Sequence, residues 1–138
     1  MDRKEFCNIL ADRRKELKYT WLDLVIKSGV TTNTVMSCVK GKLNASMDTV
    51  IKVVDALQLY IEVKNNDVVF CIGSLQELTE WCNVSLKLTG ITIVDFKDKI
   101  GMVRSAVYLY LNGEKLMRLD NFLKWVNTSG FEVHLRQK

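Results

Sequence analysis

The sequence predicts a mainly α-helical protein of two tandem units, each with four helices and a terminal β-strand, joined through a small β-hairpin. Three observations predict it. First, the chain shifted by 72 residues lies over itself without a gap, with 20–63 falling on 92–135. Nine of these 44 positions are identical: Thr20/Thr92, Asp23/Asp95, Lys27/Lys99, Gly29/Gly101, Val35/Val107, Gly41/Gly113, Asp48/Asp120, Lys52/Lys124 and Val54/Val126. Six of the nine fall on helix caps, turn glycines and apolar positions, where backbone geometry and packing restrict the choice of residue most. Second, apolar residues recur at helical spacing in segments opened by Ser, Thr or Asp and closed by Gly. Third, the spacing switches to strict alternation at Leu59, Ile61 and Val63. The expected units are residues 1–64 and 74–138, with 65–73 as a hairpin strand and connector.

The first helix is expected over 1–17, capped by Asp2, with Phe6, Leu10, Arg13, Arg14 and Leu17 on one face. Thr20 and Asp23 form a capping-box pattern that starts a second helix ending near Ser28. Gly29 follows, where a tight turn needs an unhindered backbone. Thr31 is placed to cap a third helix over 32–40, closed by Gly41. Ser46 caps a fourth through Leu57, with Met47, Val50, Ile51, Val54 and Leu57 as its apolar face. Leu59 to Val63 is a strand, Asn65-Asn66-Asp67 a turn and Val68 to Ile72 a second strand. Ser74 and Glu77 open the second unit with their own capping box. Its helices are expected near 74–88, 92–100, 103–112 and 118–128, and its strand over 131–135.

Net charge is +4. Residues 1–64 carry eleven Lys+Arg against eight Asp+Glu, and residues 65–138 nine against eight. This mild basic bias permits a polyanionic partner without demanding one. Cys7, Cys38, Cys71 and Cys82 show no C-x-x-C spacing and lie among apolar residues. Buried free thiols in a reducing cytoplasm are the expectation, with no metal, cofactor or disulfide framework. No signal peptide or long apolar run is present, so a cytoplasmic, non-membrane protein is expected. Catalysis is not expected. The single histidine, His134, falls in a strand, and no nucleophile set, metal-ligand spacing or Gly-rich phosphate loop occurs.

A short helix, a glycine turn and a second short helix form a helix-turn-helix pattern. The segment from Thr20-Trp21-Leu22-Asp23-Leu24-Val25 through Gly29-Val30-Thr31-Thr32-Asn33-Thr34-Val35 to Gly41-Lys42 resembles the Cro/phage-repressor (XRE) family. So does its continuation, Ser46-Met47-Asp48-Thr49-Val50, Lys52 and Ala56-Leu57. The resemblance covers nearly all of residues 5–63 and, in weaker form, 77–135. It implies a lambda-repressor-like fold in each unit and sequence-specific binding of double-stranded DNA by a bacterial, phage or mobile-element transcriptional regulator. Its base-reading positions fall on Thr32, Asn33, Met36 and Ser37 in the first unit and on Arg104, Ser105, Tyr108 and Leu109 in the second. Asn33 is the strongest of them, since an amide pairs with an adenine edge through two hydrogen bonds. Thr20, Trp21, Thr31, Lys40, Lys42 and Asn44 fall where phosphates would lie.

Departures from the family pattern matter too. Trp21 and Ile93 stand where a glutamine is usual, and Trp21 can either donate to a phosphate or pack. The usual Glu–Arg pair is replaced by Val39 facing Arg14, which frees Arg14 to turn toward DNA, and by Leu111 facing Leu86. Lys97 replaces a small residue at the helix crossing. Tyr108-Leu109-Tyr110 is apolar for a groove-facing helix, which favours a competing reading as a protein-interaction adaptor whose second unit serves dimerisation or partner binding. If the terminal strands share a sheet, the chain is an intrachain pseudo-dimer. If their edges pair between chains, it is a homodimer. No small-molecule ligand is predicted.

Overall fold

The computed structural model describes residues 1–138. The chain runs α1 (Arg3–Leu17), α2 (Trp21–Ser28), α3 (Thr32–Val39), α4 (Met47–Ala56), β1 (Leu59–Lys64), β2 (Val69–Ile72), α5 (Leu75–Thr89), α6 (Ile93–Ile100), α7 (Arg104–Leu111), α8 (Leu119–Thr128) and β3 (Glu132–Gln137). It is mainly helical, with one small antiparallel sheet ordered β2-β1-β3.

Local chemistry sets these boundaries. Asp2 accepts from the Glu5 N–H, Ser46 from Thr49 and Ser74 from Glu77, so α1, α4 and α5 start where a side chain satisfies an otherwise free amide. At α2 the capping box is complete: Asp23 N–H donates to the Thr20 hydroxyl, and Thr20 N–H to the Asp23 carboxylate. Thr31 caps α3 by position only. Its hydroxyl donates to the Thr34 hydroxyl at 3.0 Å and accepts no backbone bond, which corrects the expected cap. β2 begins one residue later than expected because the Asn65 side chain accepts from both Asp67 and Val68 N–H, holding Val68 in the turn.

The helices of the second half start at 75, 93, 104 and 119 against 3, 21, 32 and 47 in the first, a difference of 72 in each case. The backbone repeats where the residue types do not. All eight positive-φ residues fall into four pairs 72 apart: Lys18/Gly90, Gly29/Gly101, Gly41/Gly113 and Gln58/Gly130.

A single apolar cluster of 34 buried residues runs through both halves. In the second half it is aromatic: Trp81 meets Phe122 and Phe131 edge-on at 5.6 Å each, and Phe96 tilts against Trp125 at 4.7 Å. Tyr110 joins it rather than an exposed patch, packing on Trp125 while its hydroxyl accepts from the Asn121 amide. Only Tyr108 and Leu109 of the expected apolar trio lie at the surface. The reason is helical spacing: Tyr110 follows Val107 onto the inner face of α7.

Two backbone junctions bind the halves, and each is symmetric under the 72-residue shift. At the sheet, β1 pairs with β3 so that Ile61 faces Leu135, Glu62 faces His134 and Val63 faces Val133. Near α4 and α8, Ser46 pairs with Arg118, with Met47 N–H donating to Met117 C=O and Leu119 N–H to Ala45 C=O, both at 2.8 Å. Glu62/His134 and Ser46/Arg118 are each 72 residues apart, so at both places a segment pairs with its own counterpart. β2 lies beside β1, away from β3.

Candidate nucleic-acid interface

The turn between α2 and α3 brings the first group of expected contact residues together. Gly29 closes α2 in the left-handed conformation at φ 71°, which reverses the chain within two residues and delivers α3 across α2. α3 buries Val35, Cys38 and Val39. The opposite side carries Thr32 and Asn33, both exposed, and half-buried Met36 and Ser37. Thr32 and Asn33 occupy the first turn, where side chains reach outward unobstructed. Met36 and Ser37 are enclosed because the following loop folds under α3, with Lys42 and Leu43 N–H both donating to the Ser37 carbonyl.

Beside this face lies a stacked cluster of cations on one indole. The Arg14 guanidinium sits 4.0 Å from the Trp21 ring centre and the Lys40 ammonium 5.7 Å from it. Arg14 also donates to the Tyr19 carbonyl at 2.8 Å, and its Nε is buried without a partner. The expectation that Arg14 turns out toward DNA is therefore corrected. It is held by an aromatic face and a backbone carbonyl instead. Trp21 packs through its ring and leaves its indole N–H without a partner in the chain, so the two readings of this residue are compatible. Thr20 spends both its N–H and its hydroxyl on Asp23, whose carboxyl is held below its ordinary pKa by the Thr20 backbone bond first and its side chain second. What α2 offers an anion is thus the free N–H groups of Trp21 and Leu22, with the exposed Lys40 ammonium close by over the Trp21 ring. Thr31, at the start of α3, is exposed with its hydroxyl tied to Thr34.

Asn44 is placed elsewhere. Its side-chain oxygen accepts from Asp120 N–H at 2.9 Å, capping α8, and its carbonyl accepts from Arg118. This was missed in the sequence, because α8 opens on Arg118 with no capping side chain of its own, and the residue that supplies one lies 76 positions away.

In the second half, Gly101 closes α6 at φ 75° and α7 presents exposed Arg104, Ser105, Tyr108 and Leu109. Arg104 folds back on Tyr108, 5.5 Å from its ring and donating to its hydroxyl at 3.2 Å. Lys97, at the helix crossing, turns to Asp98 at 2.8 Å. Where Arg14 and Trp21 fill the first half, the second has Leu86, Ile93 and Leu111 around an open cleft of about 370 Å³. It carries no counterpart of the cation cluster.

Three thiols are buried, and burial pushes Cys7 up to about 11 and Cys38 to about 12. Cys71 departs from the expectation: it is exposed, because alternate residues of the outermost strand face away from the core. No cluster of His, Cys, Asp or Glu is arranged to hold a metal ion, and no helix is long and apolar enough to cross a membrane. No protein-family model, curated protein or solved structure matches the chain.

Proposed function

We propose that the chain is a sequence-specific double-stranded DNA-binding protein, a regulator of transcription in which two helix-turn-helix units form an intrachain pseudo-dimer. The observation that carries this reading is the exposed first turn of α3, bearing Thr32 and Asn33 behind the Gly29 turn. Trp21 and Lys40 lie together at the other end of α3, with exposed Lys42 in the loop that follows, where a phosphate backbone would run. In this reading α3 reads base edges through Asn33, and α7 reads a second, different half-site through Arg104 and Ser105. The self-symmetric junctions at Glu62/His134 and Ser46/Arg118 support a fixed spacing between the two helices. Since the two reading faces differ, the operator would be non-palindromic, and one chain would occupy it in one orientation.

A second reading takes α7 as a protein-binding helix. Exposed Val103, Tyr108 and Leu109, at 68%, 39% and 36% accessibility, favour it for the second half.

Binding to a random duplex pool, followed by fluorescence anisotropy across salt concentrations and then by selection and sequencing, tests both. A DNA reader loses affinity steeply with salt and enriches a motif. Asn33→Ala should weaken binding to that motif by about 5- to 150-fold, the 1–3 kcal/mol of one bidentate base contact. Absence of binding at low salt would overturn the reading. An enriched motif with one half only would assign α7 to the second reading.

A further inference from the structure

The three-stranded sheet has two free edges, and they differ in chemistry. The β3 edge is flanked by Glu132, His134 and Arg136, with Glu132 and His134 paired at 3.2 Å and Arg136 bonded to Glu62. Charged side chains along an edge discourage further strand pairing. The β2 edge has no such guard. From Val68 to Gly73 there is no charged residue, and Val69 is 62% exposed.

The backbone there is also oriented for pairing. Asn65 N–H donates to the Val68 carbonyl, so Asn65 and Val68 form a bonded pair. Bonded and non-bonded pairs alternate along an antiparallel ladder. With Val63 opposite Phe70 and Ile61 opposite Ile72, Phe70 and Ile72 bond inward to β1. The N–H and C=O groups of Val69 and Cys71 consequently point to the open side.

We propose that β2 is a homodimerisation edge, pairing antiparallel with β2 of a second copy about a two-fold axis at Phe70. In this register Val69 of one copy bonds with Cys71 of the other, twice over, and satisfies every outward amide of the strand. The two Phe70 rings meet at the central non-bonded pair, where side chains approach most closely. Val69 and Cys71 form an apolar row on the sheet face turned away from the core. A second copy is the occupant because the edge is complementary to itself under a two-fold axis and carries no charge that would select an unlike partner. The new pairing would extend the sheet that already joins the two halves through the self-symmetric β1–β3 pair, giving six strands in order β3-β1-β2-β2-β1-β3. This proposal does not depend on DNA binding.

Sedimentation equilibrium of the full chain over a wide concentration range tests it. A monomer–dimer equilibrium is expected. Val69→Lys should raise its dissociation constant at least about tenfold by setting like charges on the edge. Since Val69 is exposed, that variant should keep its far-ultraviolet circular dichroism spectrum. Val69→Cys, oxidised, should yield a covalent dimer whose disulfides join the introduced thiol to Cys71 of the second copy, as peptide mapping would show. A monomer at every concentration overturns the proposal. So does a dimer that Val69→Lys leaves intact, or a cross-link joining two like positions.

Discussion

Lys18 and Gln58 hold backbone conformations that glycine holds in the second half, at Gly90 and Gly130. Their φ of 57° brings Cβ close to the following carbonyl, at a cost of roughly 1–2 kcal/mol per residue. Gln58 offsets part of this by donating its amide to the Tyr19 hydroxyl at 2.8 Å. Lys18 is exposed and its side chain makes no bond, so only the tight end of α1 requires the strained geometry. Lys18→Gly should therefore stabilise the chain by about 0.5–1 kcal/mol, the relief of strain exceeding the entropy glycine adds to the unfolded state. Thermal unfolding measures it, and a lowered melting temperature would count against this account. Position 18 was legible as a helix end. The left-handed backbone was not, because lysine gives no sign of it.

Elements meet through a few polar atoms set into the apolar core. α5 and α8 are joined where the Trp125 indole N–H donates to the Ser85 hydroxyl at 2.9 Å, and that hydroxyl donates to the Cys82 carbonyl. Ser85 is fully buried. Ser85→Ala would leave the indole N–H without a partner and should cost about 1–3 kcal/mol, measured by denaturant unfolding. An unchanged midpoint would mean that water reaches the site. α2 and α3 show the same logic at the surface. Their glycine turn and capping box were readable from Thr20, Asp23 and Gly29, since these residues act on backbone within four positions of themselves. The enclosure of Arg14 was not. It depends on Trp21 and the Tyr19 carbonyl folding over a guanidinium from another helix.

At the scale of the molecule, two self-symmetric junctions hold the halves. The second is reinforced by Asn44, which caps α8 across it. Asn44→Ala should lower stability by about 0.5–2 kcal/mol, the usual cost of a lost N-cap. Hydrogen exchange should place the loss first at the Asp120 amide, the donor to that cap. Faster exchange confined to α3 instead would show that Asn44 serves the first half alone. Arg14 and Trp21 close one helix crossing, while Leu86, Ile93 and Leu111 leave its counterpart open.

By itself the sequence determined the helices, the caps of α1, α2, α4 and α5, the turns, the hairpin and the 72-residue period. Each of these is a short-range matter of side-chain spacing, backbone bonds within four residues and glycine at positive φ. Only the tertiary structure decided which strand is central, that β1 pairs with β3, that Asn44 faces Asp120 rather than solvent, and that Tyr110 and Cys71 exchange the surroundings expected of them. The central place of β1 between β2 and β3, and the Asn44–Asp120 bond, rest on residues more than 60 positions apart competing for the same free amides. Tyr110 and Cys71 instead follow from which face of α7 and of β2 the core takes up. No local pattern in the chain encodes the long-range partners.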